Sequence, residues 1–122
     1  MAANVARIEA DLNAFGTQVT TSGTKDVALS SSGKTIDLGG KDGYTVLLFT
    51  ASADDTGIVI VGGNGTKGGT DLALPKLSNG NSAAIVVDSA YFMDVSGTNK
   101  GMIKVKGAST TTVTCIELKA GR

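Results

Sequence analysis

From residue 17 onward the chain keeps one texture: short runs rich in Val, Ile and Leu, separated by clusters of Gly, Ser, Thr, Asn and Asp. Turn signals recurring about every eight to twelve residues leave no room for helices of ordinary length and match an all-β sandwich or barrel. The runs predicted as strands cover residues 25–30, 34–38, 44–51, 57–62, 71–77, 82–89, 91–95, 102–107 and 111–118. Two connections, Asp42-Gly43 and Asn79-Gly80, carry hairpin chemistry, because these residues accept positive φ. Residues 44–49, 58–61 and 83–87 are almost continuously apolar, which predicts central strands covered on both faces, at least in an assembly. Residues 34–38 and 103–106 alternate, so Ile36, Leu38, Ile103 and Val105 should face inward and Lys104 and Lys106 outward. Pro75, lacking an N–H, assigns its strand to a sheet edge.

The first sixteen residues read differently. Val5, Ile8, Leu12 and Phe15 recur at spacings of three, four and three, the stripe of a short amphipathic helix over residues 3–15 ended by Gly16. A helix of about a dozen residues is marginal alone in water. The expected organisation is therefore an N-terminal helix or arm over residues 1–16 and a β-sandwich domain over residues 17–122. The four apolar residues of the stripe become candidate contacts to the domain, a neighbouring protomer or another partner. Deleting residues 1–16 should then leave the β-domain folded.

Composition narrows the chemistry. A chain of 122 residues is of single-domain size. Its eleven basic and eleven acidic residues cancel, so no overall field draws it to nucleic acid or to an anionic membrane. No apolar run reaches membrane-spanning length, and the N-terminus lacks the pattern of a secretory leader, which predicts a soluble protein. Histidine is absent, which removes the commonest general base, the Ser-His and Cys-His nucleophile pairs and the usual nitrogen ligand of zinc. The expectation is a protein that is not an enzyme. The single cysteine, Cys115, can form no disulfide within the chain, as suits a reducing compartment. It sits in a predicted strand and reads as a small buried hydrophobe.

Several motifs need weighing. Gly63-Asn64-Gly65-Thr66-Lys67-Gly68 matches the dinucleotide fingerprint G-x-G-x-x-G after an apolar run, with Asp88 about twenty residues on. That chemistry requires a helix whose N-terminal amides hold the pyrophosphate. Here Gly69 and then Pro75 stand where the helix should run, so the segment is a strand connection and NAD, FAD and ATP are not expected to bind. Gly33-Lys34-Thr35 ends like a Walker loop but has Ala28 where the first glycine belongs. Asn64-Gly65-Thr66 is a formal glycosylation acceptor, taken as chance. Asp54-Asp55 is far short of a calcium shell and reads as a turn, and Asp88 and Asp94 read as solvated turn-formers in preference to a glycosidase pair. Lys100, Lys104 and Lys106 lack the aromatic partners of a nucleic-acid surface and read as a solvated strand face. No cofactor, metal or catalytic residue is assigned. A carbohydrate-binding or host-surface-binding module is the alternative for such a sandwich, although the chain has no tryptophan for a sugar platform.

Residues 81–105, NSAAIVVDSAYFMDVSGTNKGMIKV, resemble small proteins encoded beside the major capsid protein of tailed bacteriophages. The likeness extends more loosely to residues 34–42 and 44–50, about a third of the chain in all. The resemblance implies a head decoration, or cement, protein: a small β-rich virion component, made in the bacterial cytoplasm, that binds the outer surface of the capsid and staples neighbouring subunits. It implies the major capsid protein as partner and a homotrimer at local three-fold positions as the first expectation for assembly. It carries no site residue across. Val5, Ile8, Leu12 and Phe15 are the candidate capsid or oligomer contacts on the strength of their stripe alone.

Overall fold

The computed structural model describes Val5 and residues 7–11, 26–38, 44–66 and 68–119. Their elements are β1 (Arg7–Asp11), β2 (Val27–Ala28), β3 (Lys34–Asp37), β4 (Tyr44–Ala51), β5 (Val59–Ile60), β6 (Leu72–Ala73), β7 (Ser82–Asp88), α1 (Ser89–Phe92), β8 (Met102–Lys106) and β9 (Thr111–Lys119). They form two sheets. A five-stranded sheet runs β1-β9-β4-β7, with β2 also paired to β9, and a four-stranded sheet runs β3-β8-β5-β6. The chain is an all-β sandwich of one domain, without a closed barrel.

Strand β4 is the centre of the larger sheet because it can satisfy both edges: Leu47 lies opposite Ile85 of β7 and Cys115 of β9, Phe49 opposite Ala83 and Val113. Alternate residues of these strands fill the interior, where Leu47, Phe49, Val113 and Cys115 are fully buried. Ile36, Ile60, Ile103 and Val105 of the smaller sheet meet them and are equally inaccessible. Burying a side chain of this size contributes about 1.5–3 kcal/mol, so this interdigitated layer is the main source of stability. The alternation expected for residues 34–38 and 103–106 holds: Ile36, Leu38, Ile103 and Val105 are core, while Lys104 and Lys106 lie on the outer side.

The short connections obey their residue chemistry. Asn81 N–H donates to the Ser78 carbonyl at 3.0 Å, and Gly80 takes φ +85°, as the Asn-Gly turn requires. The Asp42-Gly43 turn, Leu12, Phe15, Gly16 and the expected boundary at residue 16 lie outside the described residues. Asp26, at φ 53°, accepts a hydrogen bond from the Thr114 hydroxyl at 2.7 Å and donates its own N–H to the same oxygen, which pins the start of β2 to β9.

Three expectations are corrected. Residues 7–11 are not helical: β1 pairs in parallel with β9, Ile8 opposite Ile116 and Ala10 opposite Leu118. Arg-Ile-Glu-Ala-Asp alternates with period two, and the open edge of β9 supplies hydrogen bonds that no lone helix could match. Val5 belongs to the other sheet, where its N–H donates to the Thr35 carbonyl at 3.0 Å and its side chain is 1 % exposed. Of the proposed contact stripe, Val5 is thus core and Ile8 a half-buried strand residue. Residues 91–95, expected to be a strand, are not one: Ser89–Phe92 form a single helical turn capped by Asp88, whose carboxylate accepts the Ala90 N–H at 2.9 Å, and the next strand is β8. Finally, residues 83–87 lie on an edge strand, β7, and not a central one. Pro75 does fall just past β6, the edge of the smaller sheet.

Candidate interaction surface

In the glycine-rich connection after β5, three main-chain donors are committed within the protein. Gly62 N–H donates to the Asp71 carboxylate at 2.8 Å, Gly63 N–H to the Tyr91 carbonyl at 2.9 Å and Gly68 N–H to the Gly65 carbonyl at 3.0 Å. Asn64, the formal glycosylation acceptor, uses its amide as a clamp, accepting the Val95 N–H at 2.8 Å and donating to the Ser96 carbonyl at 3.0 Å. Glycine is needed at position 63 because a Cβ there would collide with the Met93 carbonyl. The next element along the chain is a strand, β6. The loop fastens the segment after α1 to the smaller sheet.

Asp54 and Asp55 divide between two structural tasks. Asp55 is 3 % exposed and accepts three hydrogen bonds, from Gly57 N–H at 2.9 Å, Ala108 N–H at 3.0 Å and the Thr111 hydroxyl at 2.6 Å. Burial pushes its pKa upward, but the Thr111 hydroxyl and the two amides together hold the carboxyl below its ordinary value. One carboxylate thereby ties the 54–57 turn to the loop before β9. Exposed Asp54 accepts the Asn79 N–H at 2.8 Å and pairs with Lys76 at 3.3 Å, and that amide, then Lys76, lowers its pKa. Asp88 caps α1, and the main chain of Asp94 makes an isolated β-bridge with that of Lys100. Among the described residues no three His, Cys, Asp or Glu side chains gather as a metal site.

Cys115 is fully buried in β9 opposite Leu47 of β4, and burial pushes its thiol up to about 12, opposed by Arg7 and helped by Glu117. Arg7 and Glu117 pair at 3.2 Å at one end of the sandwich, and Arg7 also donates to the Asp37 carbonyl of the smaller sheet at 2.8 Å. This contact ties β1 across both layers.

The informative contrast is between the two outer faces. Asp37, Lys104 and Lys106 share the outward side of the smaller sheet with Val59 and Ala73 and with Thr35 and Met102, which are buried. On the outward side of the larger sheet stand Val46, Leu48, Ala84, Val86 and Ile116, with Thr114 opposite Leu48 and Thr50, Ser82 and Thr112 beyond them. Leu48 is 37 % and Val86 58 % exposed. Beside them, where β7 meets the 74–77 segment of the other layer, the sandwich opens into a groove of about 230 Å³ lined by Phe49, Ile58, Leu74, Leu77 and Ile85. An apolar sheet face next to an opening onto core side chains is what an association surface looks like in a soluble fold. Sequence reasoning placed the candidate surface on the N-terminal stripe and missed β7, although its uninterrupted Ala-Ala-Ile-Val-Val was visible.

No helix among the described residues is long and apolar enough to cross a membrane. Neither a family model, nor a curated protein, nor a solved structure matches the chain.

Proposed function

We propose that the chain is a structural virion protein that binds the outer surface of a phage capsid and stabilises the shell, with the apolar outer face of the larger sheet as its attachment surface. The observation that carries this reading is the asymmetry of the two faces: lysines on one, exposed Leu48 and Val86 on the other. A protein lying on a lattice needs one face suited to partial desolvation and one suited to water. The resemblance to capsid decoration proteins falls on residues that fold together, since residues 81–105 comprise β7, α1 and most of β8, and residues 34–42 and 44–50 contain β3 and most of β4.

The physical role is mass action. A molecule that binds only the assembled shell lowers its free energy as occupancy rises, and many copies on a symmetric lattice add up. Attachment through Leu48 and its neighbours relies on apolar burial and resists salt.

The test mixes the protein with undecorated expanded heads of its own phage, pellets them in low and high salt, and heats decorated and bare heads in parallel. Co-pelleting at both salts, a higher rupture temperature and loss of both in Leu48→Lys support the reading. Heads that rupture at one temperature with and without the protein reject it and favour a sugar-binding module.

A further inference from the structure

Sheet edges are where folded β proteins guard against unintended pairing, with charges, prolines or very short strands. Four of the edge strands here carry such guards. β1 reads Arg-Ile-Glu-Ala-Asp, β3 carries Lys34 and Asp37, β2 is two residues long, and β6 is two residues long with Pro75 beyond it. Among the described strands β7 alone is long and unguarded: seven residues, Ser-Ala-Ala-Ile-Val-Val-Asp, with its only charge at the end.

The phase of its ladder is readable. Ala51 N–H donates to the Asn81 carbonyl at 3.0 Å, with residue 51 of β4 facing residue 81. In an antiparallel pair, bonded positions alternate along the strand. Ala83, Ile85 and Val87 therefore exchange bonds with β4, and Ser82, Ala84 and Val86 turn their N–H and C=O groups to the open edge, while Asp88 contributes only its N–H because its carbonyl opens the α1 turn as N-cap. Among the described residues these groups meet no other strand.

We infer that β7 pairs antiparallel with β7 of a second copy of this chain, across a two-fold axis through Ile85. In that register Ala84 opposes Val86 and Ser82 opposes Asp88, so the open N–H and C=O groups of Ala84 and Val86 pair in full and the Asp88 N–H meets the Ser82 carbonyl. The side chains fit as well. The small residues of the first half, Ala83 and Ala84, meet the β-branched residues of the second half, Val87 and Val86. No two Asp88 carboxylates meet across the axis, since each lies opposite Ser82 of the other copy. Ile85 of the second copy closes the mouth of the groove beside β7.

The consequence is one continuous sheet across the dimer, with both Leu48-Val86 faces on the same side. This goes beyond attachment to a capsid and does not depend on it, although a doubled face would raise avidity there.

The test is a crosslink that reads the register. Facing residues in a non-hydrogen-bonded antiparallel pair have Cα atoms about 4.5 Å apart, within disulfide range. Ile85→Cys, oxidised in the full-length protein, should run as a covalent dimer, while Ser82→Cys, several residues off the axis, should not; Cys115 is buried and silent. In parallel, sedimentation equilibrium at tens of micromolar should give a dimer for the parent and a monomer for Ala84→Pro, which removes an edge N–H and no bond to β4. Leu48→Lys should stay dimeric, which separates edge pairing from stacking of faces. A monomeric parent, equal crosslinking of both cysteine variants, or a trimer insensitive to Ala84→Pro overturns the inference. Head binding by a monomeric parent would sink this pairing alone, and a dimer that ignores heads would sink only the capsid reading.

Discussion

Replacing Asp55 should be the most damaging single polar change in the described fold. Its carboxylate receives the Gly57 and Ala108 amides and the Thr111 hydroxyl while only 3 % exposed, so Asp55→Ala strips three donors of their acceptor in the interior. Each buried donor left unsatisfied costs about 1–3 kcal/mol, and neighbouring losses add incompletely, which gives roughly 3 kcal/mol in total. For a chain of this length that corresponds to a fall in Tm of about 10–15 °C. Asp55→Asn keeps the shape but turns an NH2 toward donors, and about 2 kcal/mol should be lost. The pH dependence has a defined sign. Because hydrogen bonds hold the folded pKa below the unfolded value of about 3.9, the stability from this carboxylate is complete above that value and disappears as pH falls through the folded pKa. Urea unfolding of the parent and Asp55→Asn should therefore show a constant gap from pH 7 to about 5, narrowing steadily below pH 4. Taking the difference cancels other acid-sensitive groups such as Asp54. A gap under about 0.5 kcal/mol at pH 7, or one unchanged down to pH 2, would refute the argument that this carboxylate ties the two loops.

Two further outcomes concern β1 and the core. Removing residues 1–11 takes away the parallel partner of β9 and the buried Val5, so the truncated chain should lose at least about 3 kcal/mol by urea titration, in contrast to the harmless deletion expected of an arm. Cys115, with its thiol pushed up to about 12 and no solvent contact, should not react with a disulfide reagent at pH 8 until denaturant is added; rapid labelling of the native protein would show that β1 opens readily from β9.

Most of the strand content was legible because strands declare themselves locally. Period-two alternation at Ile36, Leu38, Ile103 and Val105, the Asn79-Gly80 turn and the break at Pro75 each act within a few residues, and the fold keeps all of them. The proline after the glycine-rich loop was enough to read that loop as a connection. Other features depended on contacts far apart in sequence. Val5, Ile8, Leu12 and Phe15 satisfy a helical spacing as well as Arg-Ile-Glu-Ala-Asp satisfies a strand, and only the free edge of β9, more than a hundred residues away, decides for the strand over residues 7–11. The hydrogen-bonded cradle of Asp55 likewise assembles from loops fifty residues apart. The apolar run of β7 announced burial, yet burial is a property of neighbours: with β4 on one side and no described strand on the other, the tertiary arrangement leaves Val86 exposed and a row of main-chain groups open. Local chemistry determined which segments of this protein are strands, and the order of the strands, set by long-range pairing, decided which of them is left facing outward.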